Sequence, residues 1–246
     1  MKKERLDVLV VERGLAQTRT RAQALILAGQ VVVNDQRCDK PGTRVPVEAE
    51  LRLKGEVLPY VSRGGLKLKG AIDAFGLDVT GAVCADIGAS TGGFTDCLLQ
   101  EGAARVHAID VGRGQLHEKL RVDPRVHSRE RVNARHLTDD DLPEPVNVVV
   151  IDVSFISLEL VLPSVLPRLT APGLLVALVK PQFEVGPGGV DKGGVVRDPA
   201  VRQAAIDRVR AFVKAQGLEE VGLIDSPVPG PAGNVEALLV ARRPAA

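Results

Sequence analysis

From residue 82 onward the chain alternates short apolar runs with amphipathic stretches, and this alternation narrows the possible folds most. Runs at 82–87, 105–110, 125–128, 146–152, 174–180, 221–225 and 236–242 read as strands. Helices are expected at 92–102, 115–121, 157–168 and 199–216. The last carries its own punctuation, with Asp198 as cap, Pro199 at the first position and Gly217 as the stop. Strands that alternate with helices pair in parallel, and the helices cover both faces of the sheet. The expectation is a Rossmann-like α/β domain with a seven-stranded, mostly parallel sheet. Its ligands should sit at the C-terminal strand ends.

The first part of the chain has a different grain. Residues 6–16 and 18–29 read as two short amphipathic helices, with Thr18 or Thr20 capping the second and Gly29 ending it. Val31–Val33 is a strand, Asn34-Asp35 and Lys40-Pro41-Gly42 are turns, and Val47–Leu53 is a further strand. This predicts a small α+β domain over residues 1–58, ahead of the larger domain at 59–246. Gly55 and Pro59 mark a linker across 54–61, and 63–76 reads as the helix that opens the larger domain.

Charge divides along the same line. Residues 1–69 hold 14 Lys/Arg against 8 Asp/Glu, whereas the remainder holds 18 against 23. A basic segment on an acidic body suits an anionic partner. Aromatics are 2% of the chain, so nucleic acid could not be held by stacking platforms. Cys38, Cys84 and Cys97 lack the C-x-x-C spacing of a zinc site or a disulfide framework. No metal, no secretory signal and no membrane span of about 18–20 apolar residues is expected, which points to the cytoplasm.

The stretch Ala85-Asp86-Ile87-Gly88-Ala89-Ser90-Thr91-Gly92-Gly93-Phe94-Thr95-Asp96 follows a strand and opens a helix. Its glycines permit a tight turn and a close approach of backbone to ligand. An acidic residue two places before Gly88 would repel a pyrophosphate, so this is not a dinucleotide loop. A carboxylate there suits a cationic ligand, such as the amino group and sulfonium of S-adenosylmethionine. Asp110 ends the next strand, where it can accept both ribose hydroxyls, and Val111 follows it. Asn133 follows the third strand, where an adenine edge would lie.

Asp152 and Lys180 end the fourth and fifth strands, which places them side by side at the ligand edge. Lys67 and Glu236 are further candidates, although either alone reads as a surface charge. A ribose 2′-hydroxyl is a weak nucleophile, so methylating it requires removal of its proton and alignment of its oxygen. Lysines can supply the base, with carboxylates to orient them and balance their charge. Enzymes that methylate exocyclic amines place a proline-containing run after strand four, which Asp152-Val153-Ser154-Phe155 lacks. Methylation of a pyrimidine carbon needs a nucleophilic cysteine, and Cys84 and Cys97 fall inside predicted elements. The pattern leans toward methylation of oxygen.

With these residues in view, the chain resembles the TlyA family, also called hemolysin A. Residues 5–45 are similar to an S4 RNA-binding domain and the rest to an FtsJ-type, class I methyltransferase domain. The S4 resemblance implies phosphate contacts from Arg5, Arg19, Arg21, Gln23 and Lys40, and Arg63 is expected to join them where the larger domain opens. The family's runs stand here as YVSRGGLKL, ADIGASTGGFTDCLL, DVGRGQL, DVSFISL and LVKPQFE. The resemblance implies 2′-O-methylation of a cytidine in ribosomal RNA, free or within ribosomal subunits, with S-adenosylmethionine as cofactor. It also implies a Lys-Asp-Lys-Glu set, carried over to Lys67, Asp152, Lys180 and Glu236. Lys69 competes with Lys67, and the SRGG-x-K-L spacing favours Lys67. Cofactor contacts are expected from Asp86, Gly88, Ser90, Thr91, Gly92, Gly93, Phe94, Asp110, Val111, Asn133 and Asp152. Two rival readings are a membrane-active hemolysin and an RNA-binding protein with an inactive methyltransferase domain. The unbroken loop and polar residues oppose the second.

Overall fold

The computed structural model describes residues 3–34, 36–49, 51–54, 58–186, 189–191, 193–230 and 233–245. The chain forms two compact units, Met1–Leu58 and Pro59–Ala246.

In the first unit, strand β1 (Lys3–Arg5) leads directly into helix α1 (Leu6–Glu12), and α2 (Arg19–Leu27) follows. Thr18 caps α2 by accepting from the Arg21 N–H at 3.2 Å, and Gly29 leaves it with a left-handed φ of +66°. Strands β2 (Val31–Val33), β3 (Gln36–Arg37) and β5 (Leu51–Leu53) form a small antiparallel sheet in the order β3-β2-β5. β1 pairs with β4 (Arg44–Pro46). Leu6, Leu9, Val10, Ala22, Leu25, Ile26 and Val31 make the core. Two expectations need correction. The strand predicted from Val47 to Leu53 is broken, because the Ala49 N–H bonds the Pro46 carbonyl at 3.0 Å and turns the chain. Only its last three residues form a strand, β5, which pairs with β2, and the strand ahead of the turn, β4, pairs with β1. The charged Lys3–Arg5 was not foreseen as a strand, since it has no apolar alternation. The predicted turn at Asn34-Asp35 falls partly outside the described residues.

The second unit is a three-layer sandwich. Its sheet holds β6 (Val83–Ile87), β7 (Arg105–Asp110), β8 (Val126–Glu130), β9 (Val146–Ile151), β10 (Leu169–Val179), β11 (Glu219–Asp225) and β12 (Ala237–Arg243). The order is β11-β12-β10-β9-β6-β7-β8. β12 runs antiparallel to both neighbours, and the other pairs are parallel. One face is covered by α3 (Gly64–Phe75), α4 (Gly93–Gln100) and α5 (Glu118–Arg121), through Leu68, Ile72, Leu98 and Leu120. The other is covered by α6 (Leu158–Val165) and α8 (Pro199–Ala215), through Leu158, Leu162, Ile206 and Val209. A short α7 (Pro181–Glu184) follows β10. The central strands are apolar on both faces because both faces are covered. From β6 the chain winds outward through β7 and β8, then returns to place β9 on the other side of β6. That reversal opens a crevice at the C-terminal ends of β6 and β9. The expected helix at 115–121 shortens to α5, with Leu116 buried ahead of it.

Candidate active site

The crevice begins with a contact that admits no side chain. Gly88 follows β6 with φ +82°, and a Cβ there would lie 2.5 Å from the Asp152 carbonyl oxygen. The Asp152 N–H bonds the Ile87 carbonyl at 2.9 Å, so the two strand ends are drawn together. Gly93 is similarly confined, because a Cβ there would meet Ser62 Oγ at 2.3 Å. The starts of α3 and α4 thus pack almost backbone to backbone.

Two cavities share Gly88, Ser90, Asp152 and Ser154 in their walls. The larger, about 490 Å³, is lined by Asp110, Val111, Val132, Asn133 and Ile156, among others. Asp110 Oδ2 accepts from the Ser90 N–H at 2.8 Å and Oδ1 from the Gly112 N–H at 2.6 Å, which fixes the carboxylate at the cavity wall. Asn133 Oδ1 accepts from the Arg135 N–H at 3.1 Å and caps the turn Ala134–His136. Asn133 therefore has a structural task as well as a place in the cavity wall.

The second cavity, about 350 Å³, is lined by Arg63, Lys67, Asp86, Thr91, Phe94 and Lys180, among others. Asp86 is fully buried. Thr95 Oγ1 donates to its Oδ2 at 2.6 Å, and its Oδ1 has no hydrogen-bond partner among the described residues. Burial pushes this carboxyl up to about 7, and the nearby Asp152 and Asp110 push the same way. An unpartnered, buried carboxyl oxygen in a cavity wall suits a cationic group.

The lysines arrive in pairs with carboxylates. Lys180 follows β10 and caps α7. Its Nζ lies 2.6 Å from Asp152 Oδ1 and donates to Ser154 Oγ at 2.9 Å. Lys67 Nζ lies 2.5 Å from Glu236 Oε2. Both lysines are 8% exposed and Glu236 is fully buried, standing behind Lys67. Gly230 leaves room for it, since a Cβ there would lie 2.2 Å from Glu236 Oε1. Lys69, the alternative to Lys67, is bound to Asp73 and Glu101 at 2.7 and 3.0 Å. Ser154 and Thr95 were not singled out from the sequence, although both stand inside runs that were.

Cys84 and Cys97 are buried thiols, each pushed up to about 12 by burial. Neither has the thiolate character that carbon methylation would require. In the first unit, the fully buried Asp7 gathers three of the expected RNA contacts. It accepts from Arg5 Nε and Arg19 Nε at 2.9 Å and from Gln23 Nε2 at 2.8 Å. These bonds hold the Asp7 carboxyl well below the usual range, the Arg5 bond most of all. Arg21, Lys40 and Arg63 are exposed.

Residues 60–243 match the FtsJ-like methyltransferases, and residues 4–51 match the S4 domain. The 16S/23S rRNA (cytidine-2′-O)-methyltransferase TlyA of Mycobacterium tuberculosis (strain ATCC 25618 / H37Rv) is 47% identical over 97% of this chain and 89% of the relative. The chain belongs to the TlyA family of S4-domain-containing, FtsJ-like methyltransferases. YqxC of Bacillus subtilis (strain 168), provisionally named an rRNA methyltransferase, is 51% identical over 97% of this chain and 85% of its own length. A solved structure from Streptococcus thermophilus, provisionally named a hemolysin, superposes with a TM-score of 0.76 at 46% identity, covering 99% of this chain and 90% of the other. Among the described residues, no helix is long and apolar enough to cross a membrane.

The buried Lys67–Glu236 pair should show strong coupling. Glu236→Ala leaves Lys67 uncompensated and is expected to cost about 3–5 kcal/mol in urea unfolding of the larger unit. The double variant Lys67→Met/Glu236→Leu should recover at least ~1 kcal/mol of that loss, and strict additivity would contradict the pairing.

Proposed function

We propose that this protein transfers a methyl group from S-adenosylmethionine to the 2′-oxygen of a cytidine in ribosomal RNA. The observation that carries this reading is the placement of two lysine–carboxylate pairs beside the cavity that holds the buried, unpartnered oxygen of Asp86.

The residues present fit the cofactor. Asp86 Oδ1 would take its amino group, Asp110 the ribose hydroxyls, and the apolar wall of Val111, Val132 and Ile156 the adenine. Gly88, Ser90, Thr91, Gly92, Gly93 and Phe94 would shape the loop around it. When bound, S-adenosylmethionine supplies an electrophilic methyl group on a sulfonium.

The chain's own side chains then handle the nucleophile. Lys180 Nζ, held by Asp152 and Ser154, would have to stand as the neutral amine when the substrate is bound, and in that form it would receive the proton of the 2′-hydroxyl. Asp152 would balance the charge that results. Lys67, backed by Glu236, would orient the sugar from the other side. Lys67, Glu236 and Lys180 are buried and Asp152 half-buried, so their fields would be screened less than those of exposed charges. In the S4 domain, the arginine fork on Asp7 would hold RNA phosphates through the guanidinium edges left free, with Arg21 and Lys40 alongside.

Two measurements test this reading. With tritiated cofactor and unmodified ribosomal subunits, nucleoside digests should show label in 2′-O-methylcytidine, reduced at least ~100-fold in Lys180→Ala. Label in a methylated base would overturn the oxygen chemistry. Cofactor affinity should also depend on pH through Asp86. A cationic amino group selects the ionised carboxylate, and that form is scarce below the raised value of about 7. Calorimetry should therefore find binding roughly eightfold weaker at pH 6 than at pH 7.5, and Asp86→Asn should bind weakly with no such slope. A flat profile in the wild type would remove Asp86 from the cofactor site.

A further inference from the structure

Glu184 is a buried carboxylate to which methyl transfer, as proposed above, gives no task. It ends α7, four residues after Lys180, and is 2% exposed. Its Oε2 accepts from Ser157 Oγ at 2.6 Å, and its Oε1 accepts from the Leu158 N–H at 2.9 Å. Ser157 and Leu158 are the cap and first residue of α6, so the carboxylate docks on the positive end of that helix. Capping alone does not call for it, because Ser157 Oγ already accepts from the Glu159 N–H at 3.2 Å. Burial raises the Glu184 carboxyl above its usual range, and Arg208 stands 3.6 Å away, itself closer to Glu159 at 3.0 Å. A costly carboxylate used where a neutral cap is already present calls for another reason.

The reason lies in what the bond connects. One loop, residues 152–157, carries Asp152 and Ser154. The other segment, Lys180 and the helix α7 that follows it, carries Lys180 at its start. The first is held at its start by the Asp152 N–H to the Ile87 carbonyl and at its end by Glu184. Between these anchors Phe155 takes a left-handed φ of +64°, which is strained for a residue with a side chain. Its ring is 90% exposed and packs on Phe183 of the second segment, with centroids 5.0 Å apart. Such a conformation persists only where the surroundings over-determine it.

We infer that Glu184 is a positioning residue: by docking α7 on the start of α6, it fixes the two segments against each other and so sets the Asp152–Lys180–Ser154 geometry. It touches neither substrate nor cofactor. The inference rests on the methyl-transfer reading of this site.

The test compares wild type with Glu184→Gln, Glu184→Ala and Ser157→Ala. Turnover is normalised to the number of cofactor-binding sites counted by calorimetry. Fluorine NMR follows the five phenylalanines, Phe75, Phe94, Phe155, Phe183 and Phe212, after incorporation of fluorophenylalanine. Glu184→Ala should lower kcat per site about 100-fold, the scale of a misplacement of about 1 Å, with KM for cofactor and RNA held within about threefold. Glu184→Gln keeps an acceptor for the Leu158 N–H and should recover much of that loss, and Ser157→Ala should resemble it. The Phe155 and Phe183 resonances should shift while the other three stay. Should Glu184→Ala fail to fold, the two milder variants carry the same comparison. Unchanged turnover per site with only a lower Tm would make Glu184 a structural cap and overturn the inference. Movement of all five resonances would overturn it as well. Absence of methylation by wild type would overturn the reading of the site itself, a result separable from either.

Discussion

Everything at this site depends on two strand ends meeting without a side chain between them. Gly88 lets the Asp152 carbonyl approach to where a Cβ would stand 2.5 Å away. That approach brings Asp86, at the end of β6, and Asp152, just past β9, into one crevice. It also sets the path of the loop carrying Ser154 and Phe155, and Lys180 reaches Asp152 from the neighbouring strand. A substitution at residue 88 would therefore act on cofactor loop and lysine pair together.

The second constraint is electrostatic. Asp86, Asp152, Glu184 and Glu236 crowd the C-terminal strand ends, and three of the four are almost fully buried. The fold manages this crowding in different ways. Glu236 and Asp152 each hold a lysine, Glu184 rests on a helix N-terminus, and Asp86 takes a hydrogen bond from Thr95; one oxygen each of Asp86 and Glu236 has no partner among the described residues. Buried ion pairs seldom add much to stability over well-packed apolar residues. Their presence here is better understood as preorganisation of a site for a charged reaction. The S4 domain repeats the device on a smaller scale, where buried Asp7 aligns Arg5 and Arg19.

The sheet was legible because its central strands are largely apolar runs alternating with helices, the pattern of a doubly covered parallel sheet. Asp86, Asp110, Asp152 and Lys180 were legible because each ends such a run. Glu236 was harder to read. Its partner Lys67 lies 169 positions earlier, and no local pattern announces the meeting. The sequence spacing had already favoured Lys67 over Lys69, and in the structure Lys69 turns away to Asp73 and Glu101. Arg5, Arg19 and Gln23 read only as phosphate contacts, and it is the folded helices that bring them to the one carboxylate of Asp7. The strand predicted at 47–53 failed because a turn at Pro46–Ala49 was hidden inside a β-prone run.

In the proposed reaction the two lysine–carboxylate pairs face the 2′-oxygen across the crevice. A structure of the protein with S-adenosylhomocysteine and a short cytidine-containing RNA would show whether they do. The cofactor's amino group is expected on Asp86, its ribose on Asp110, and the target 2′-oxygen within hydrogen-bonding reach, about 2.6–3.2 Å, of Lys180 Nζ. A cytidine bound with a base atom facing the cofactor sulfur and its 2′-oxygen remote from both lysines would contradict it.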